Sequence, residues 1–167
     1  YNLISAYALE NNFLNGSTDE NLVDIAEYYF DIDNTTNKIY KHLTVDSLEN
    51  KFVYFDENVE YISLYPYLEV KDDYTKFSVS VSFDLQSYTE NKLPLLIYSI
   101  GDFYQAVPLI SLQNKNLNTG ELEHFANRIM ISTTKSYKGE KLKIYFRNSS
   151  KDRMMFDNVK VLIKASK

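Results

Sequence analysis

Between Phe77 and Leu85, apolar and polar residues alternate without a break. Phe77, Val79, Val81, Phe83 and Leu85 fall at one set of positions, and Ser78, Ser80, Ser82 and Asp84 at the other. A period of two sorts side chains onto the two faces of a strand, whereas a helix would scatter them. The pattern predicts a strand with one apolar face and one face of small hydroxyls, which is either solvated or packed under a loop. Further strands are predicted at Lys51–Asp56, Tyr61–Val70, Leu93–Ile100, Phe103–Leu112, Asn127–Thr133, Leu142–Phe146 and Met154–Lys164. Pro66 and Pro108 each remove a ladder donor, so the segment with Pro66 is either an edge strand or broken at that proline, and the segment with Pro108 is expected at an edge. In the last segment the apolar positions pass from even (Phe156) to odd (Val159, Val161, Ile163), and this predicts a bulge near Asp157–Asn158.

One stretch supports two readings. Ser17-Thr-Asp-Glu20 fits a capping box, and Leu22, Ile25, Ala26 and Tyr29 follow at helical spacing, which predicts a short helix near 18–29. The competing reading is a long loop entering a strand at Tyr28–Ile32. The total is seven to ten short strands with no βαβ alternation. That is the pattern of an all-β chain folded as a β-sandwich of jelly-roll or Greek-key type. No linker divides residues 1–167, so a single sandwich domain is expected, one part of a larger or processed protein.

Composition sharpens this picture. The chain has 15 Tyr and 10 Phe but no Trp, and its 4 glycines are few for a turn-rich β protein. Asparagine takes their place in turn-like stretches, because it tolerates left-handed backbone better than other side chains. A net charge of −5 with no basic block argues against nucleic acid. The absence of cysteine excludes a disulfide scaffold, a thiol nucleophile and a cysteine zinc site. No apolar run reaches the roughly 20 residues that a membrane-spanning helix needs.

Catalytic patterns are absent. His42 and His124 sit in no metal-binding spacing, there is no nucleophile elbow, and isolated glycines make no phosphate loop. The carboxylate pairs Glu57/Glu60, Asp72/Asp73 and Glu121/Glu123 read as solvated turn residues. Asn15, Asn34 and Asn148 each begin an N-x-[ST] triplet. Sugar sites stack apolar sugar faces on aromatic rings and add polar hydrogen bonds. Tyr61, Tyr65 and Tyr67, at near-alternate positions, are the candidate platform for a ligand.

Three stretches together resemble the carbohydrate-binding-module-like (galactose-binding-like) jelly rolls of bacterial extracytoplasmic proteins. They are Asn2-Leu-Ile-Ser5 with Ala8-Leu-Glu10-Asn-Asn12, the segment from Ser47 to Tyr61, and Lys141-Leu-Lys-Ile-Tyr-Phe-Arg-Asn148 with Met155-Phe-Asp-Asn-Val-Lys-Val161. In this chain Asn50 stands where the family often has Gly, Arg147 where it has Trp, and Asn158 where it has a second Asp. The resemblance implies a non-catalytic binding module, periplasmic or at the cell surface, with a glycan as its ligand. It also implies chain ends that lie together, and a structural calcium held there by Glu10 and Asp157. The alternative is a structural or protein-interaction domain of a surface or membrane-anchored protein, with a protein partner and no small ligand. The shape and lining of the exposed sheet face decide between the two.

Overall fold

The computed structural model describes residues 21–30, 43–45, 51–55, 60–87, 93–109, 123–148 and 154–167. Among them are ten strands and no helix: β1 (Val23–Phe30), β2 (Leu43–Val45), β3 (Lys51–Phe55), β4 (Tyr61–Glu69), β5 (Lys76–Ser87), β6 (Leu95–Ile100), β7 (Phe103–Pro108), β8 (Glu123–Ser132), β9 (Lys141–Arg147) and β10 (Met154–Ser166). They form two antiparallel sheets. One has six strands in the order β2-β3-β10-β5-β8, with β1 also on β10, and the other has the order β4-β9-β6-β7. From β3 onward the chain passes repeatedly between the sheets, as a sandwich of the predicted class requires. The strands that contain Pro66 and Pro108, β4 and β7, are the two edges of the four-stranded sheet.

The sheets are joined by the apolar positions that the alternation marked. Phe77, Val79, Val81, Phe83 and Leu85 are all fully buried, facing Leu142, Ile144 and Phe146 of β9 and Leu96, Tyr98 and Ile100 of β6 in one cluster. Phe146 packs edge-on against Phe83 (centroids 4.9 Å apart) and against Phe156 (5.4 Å). A polar bond crosses the core: the Tyr98 hydroxyl donates to Asn127 Oδ1 at 2.7 Å. Burial raises the Tyr98 hydroxyl well above its ordinary pKa, so it stays a donor.

β10 is the keystone of the larger sheet. Along one edge it pairs with β5; along the other it pairs first with β3 (Met154–Phe156), then with β1 (Val159–Ala165). Between these partners the register slips, from Asp157 opposite Asp84 to Lys160 opposite Ser82. Asn158 sits in the slip with φ 52°, in the left-handed region. The predicted bulge is therefore present, and asparagine does there what glycine usually does. Phe156 points to the core before the bulge, and Val159, Val161 and Ile163 after it.

The helix reading near 18–29 is corrected by β1. A register shift between Asp24 and Ala26 lets both Ile25 and Ala26 pack on the core, with Tyr28 beyond them. That doublet imitates helical spacing. Tyr29, which a helix would bury, is 57% exposed. The capping box and the opening stretch from Asn2 to Asn12 lie outside the described residues, as do Asn15, Asn34 and His42. Asn148 is 1% exposed, so the third triplet offers no accessible acceptor.

Asn158→Gly and Asn158→Val both delete the side-chain amide, but only valine must also hold a β-branched side chain at positive φ. Such strain costs about 1–3 kcal/mol. In denaturant titrations the valine variant is expected to be less stable than the glycine variant by about that amount. Equal stabilities would contradict the left-handed bulge.

Candidate functional site

The outward side of the four-stranded sheet carries the exposed aromatics. β9 alternates Leu142, Ile144 and Phe146 inward with Lys141, Lys143, Tyr145 and Arg147 outward. In register, Arg147 lies between Tyr61 of β4 and Leu95 of β6, Tyr145 between Ser63 and Ile97, and Lys143 beside Ser99. Ser99 in turn faces Tyr104 on β7. Tyr61 and Tyr104 are 54% and 56% exposed.

These side chains hold one another in place. The Tyr61 and Tyr145 rings meet edge-on with centroids 6.0 Å apart, and the Arg147 guanidinium lies 5.9 Å from the Tyr61 ring centroid. Arg147 Nε donates to Glu60 Oε1 at 3.4 Å. The hydroxyls of Tyr145 and Ser99 are hydrogen-bonded. Burial first, and then the neighbouring Tyr104 hydroxyl, raise the Tyr145 hydroxyl above its ordinary value, so it stays protonated and can donate or accept. Beside Tyr145, Ile97 is completely covered although it points away from the core. The result is a diagonal of three tyrosines across the sheet, edged by a guanidinium, a carboxylate and a serine.

Of the three tyrosines expected as a platform, the structure brings Tyr61 into this group. Tyr67 is also exposed but sits toward the other end of β9, with Lys141 Nζ 4.7 Å from its ring centroid. Tyr65 is corrected: it is 7% exposed and packs edge-on against Tyr28 at 5.3 Å. Register shifts on either side of it, after Ser63 and before Leu68, put Leu64 and Tyr65 on the inside together. Tyr104 and Tyr145 were missed. Alternation along Lys141–Arg147 already put Tyr145 outward, but strand adjacency, which no single segment contains, is what joins it to Tyr61 and Tyr104.

No protein-family model matches the sequence, and no curated protein matches it. Several solved structures resemble it in outline. The latent PorU dimer of Porphyromonas gingivalis matches 90% of this chain over 14% of its own length, at 10% identity and a TM-score of 0.41. The C-terminal family 6 carbohydrate-binding module of the laminarinase LamC from Zobellia galactanivorans matches 81% of this chain over 98% of its own, at 8% identity and a TM-score of 0.40. The xylanase Xyn10B of Clostridium thermocellum, solved as its CBM22-1 and GH10 modules with xylohexaose, matches 85% of this chain over 26% of its own, at 11% identity and a TM-score of 0.37. Likenesses at this level leave the reading of ligand and activity to the chain's own residues.

The outward side of the six-stranded sheet is chemically different. Ser78, Ser80 and Ser82 are buried, flanked in register by Lys164, Leu162 and Lys160 on β10 and by Met130, Arg128 and Ala126 on β8. Arg128 Nε donates to Ser78 Oγ at 3.1 Å. At one end of this strip His124 Nδ1 lies 2.6 Å from Asp84 Oδ1, and Asn158 Nδ2 donates to Asp84 Oδ2 at 2.7 Å. An Asp–His pair beside a serine invites a nucleophilic reading. Ser82, however, is 1% exposed, and its hydroxyl has no hydrogen-bond partner, so nothing here activates it or admits a substrate to it. Asp84 instead ties β5, β8 and the β10 bulge together.

Asp157, the expected calcium ligand, lies on β10 opposite this same Asp84, both of whose oxygens are engaged. Calcium takes six to eight oxygens. Among the described residues no group of three or more His, Asp or Glu could hold a metal ion, and Glu10 lies outside them.

Burial alone would raise the Asp84 carboxyl, but hydrogen bonds from His124 and Asn158, with the charges of His124 and Lys160, hold it below its ordinary value of 3.8. A carboxyl with a lowered folded pKa stabilises the fold above its unfolded pKa, and that contribution fades as pH falls through the folded value. Stability is therefore expected to drop as pH falls below about 4, and Asp84→Asn should flatten that drop. Identical acid profiles for the two proteins, followed by circular dichroism in urea, would refute the assignment.

Proposed function

We propose that the protein is a non-catalytic binding module whose ligand is a glycan met outside the cytoplasm, and that Tyr61, Tyr145 and Tyr104 form its binding face. The observation that carries this reading is the tyrosine diagonal itself. Three rings lie on the outward side of the four-stranded sheet, each beside polar groups able to bond to hydroxyls. A sugar ring has apolar C–H faces and a rim of hydroxyls, so it matches rings interleaved with Ser99, Arg147 and Glu60. A protein-binding face would favour a continuous apolar patch of several hundred Å². Here the aromatics alternate with serine, lysine and arginine, which supports the glycan over a protein partner.

The test is affinity electrophoresis in gels that contain soluble glucans, xylans, galactans or an acidic polysaccharide. At least one polysaccharide is expected to retard the protein. Tyr145→Ala should weaken that binding by about 2 kcal/mol, roughly thirtyfold, as removal of an aromatic anchor does. Tyr29→Ala, an exposed tyrosine on β1, should leave binding unchanged. If no polysaccharide retards the wild type, the glycan reading fails. Capture of the protein by a protein ligand through the same tyrosines would put the interaction-domain reading in its place.

A further inference from the structure

The tyrosine diagonal continues into a second feature. Beside it lies an open depression of about 360 Å³, lined by Ser99, Gly101, Gly139, Glu140, Lys141 and Lys143. Ser99 belongs to both, since it lines the depression and its hydroxyl bonds to that of Tyr145. Lys143 and Lys141 continue the outward row of Tyr145 and Arg147 down β9. The row from Arg147 to Lys141 spans six residue steps, roughly 20 Å at the rise of a strand.

The two ends differ in chemistry. The Tyr145 end offers ring faces. The depression offers charge and backbone: a carboxylate from Glu140, an ammonium from Lys143, and two turns whose glycines, Gly101 and Gly139, have φ of 54° and 86°. The turn at Gly139 is anchored. Val70 N donates to Glu140 O at 2.9 Å and Gly139 N to Val70 O at 2.8 Å, which fixes the segment before β9 to the end of β4. A side chain at Gly101 would press on Glu140, with its Cβ 3.3 Å from Glu140 Cδ. The missing side chain leaves Glu140 room to lie over the turn. At Gly139 the space is open. Of two neighbouring hydroxyls on a sugar, one can donate to Glu140 while the other accepts from Lys143.

Resting on the glycan reading above, we infer that the site takes the interior of a polysaccharide chain laid along β9. One sugar stacks at Tyr145, and a neighbouring neutral sugar is held through its hydroxyls by Glu140 and Lys143. A row of this length is longer than one sugar ring, which favours the interior of a chain over a single terminal sugar. A carboxylate and an ammonium in the same depression suit hydroxyls better than a charged substituent of either sign.

Calorimetry with a ladder of neutral oligosaccharides, disaccharide to hexasaccharide, cut from whichever polysaccharide retards the protein, tests this. Affinity is expected to rise about tenfold or more along the ladder. In Glu140→Gln and in Lys143→Ala, both exposed positions, the hexasaccharide should lose most of that gain while disaccharide binding is little changed. Equal affinities along the ladder, or a gain that survives both substitutions, would overturn the extended site and leave the glycan reading standing. If no polysaccharide binds at all, both fall together. An acidic oligosaccharide preferred over its neutral counterpart would overturn the assignment of the depression to hydroxyls.

Discussion

The left-handed turn of Asn158 is the constraint on which the rest of the sandwich depends. β10 lies inside the six-stranded sheet and must satisfy β5 along one edge and two different strands along the other. The slip at Asn158 is where the second edge passes from β3 to β1. Because side chains alternate with a period of two, one extra residue moves every later side chain to the opposite face. Without the slip, Val159, Val161 and Ile163 would face outward and the core would lose three buried aliphatic side chains. Asp84 holds the turn by accepting from the Asn158 amide, and it holds β8 through His124. One carboxylate thus joins the three strands of the larger sheet that back the Phe83–Phe146–Phe156 core.

That core gives the two outward faces different fates. On the larger sheet, short serines sit between long neighbours and are buried, and the ionisable group at the end of the strip is consumed by structure. On the smaller sheet, the strand behind Phe146 and Ile144 presents tyrosine, lysine and arginine to the outside. A single exposed tyrosine is ordinary. Three that run diagonally across one sheet, the middle one hydrogen-bonded to a serine and the first beside an arginine, are an arranged surface. The rigidity of the sheet beneath them is what a stacking site requires, since rings already in position lose little freedom when a ligand arrives.

The strands were legible where alternation was unbroken. β5 and β9 could be read directly, Pro108 marked β7 as an edge, and of the two readings open at Pro66 the structure takes the edge strand. The shift from even to odd apolar positions marked the bulge at Asp157–Asn158, because a bulge leaves that trace in the sequence. Two other irregularities misled for the same physical reason. The doublet Ile25–Ala26 in β1 imitates a helix, and the doublet Leu64–Tyr65 in β4 turned an expected platform ring into a core ring. The site was half legible. Tyr61 was visible as an outward aromatic, whereas its partners Tyr145 and Tyr104 come from strands far apart in sequence, and only the order β4-β9-β6-β7 brings them together.

A nuclear magnetic resonance titration of the isotope-labelled protein with a neutral hexasaccharide tests the central claim most directly, because it reports where the ligand sits without substituting any residue. The account predicts shifts at the backbone amides of Lys143–Arg147, Ser99, Tyr104 and Tyr61, with Ser78–Ser82 and Arg128 unmoved. Shifts confined to the serine-lined face, or no shifts on the four-stranded sheet at saturating ligand, would contradict it.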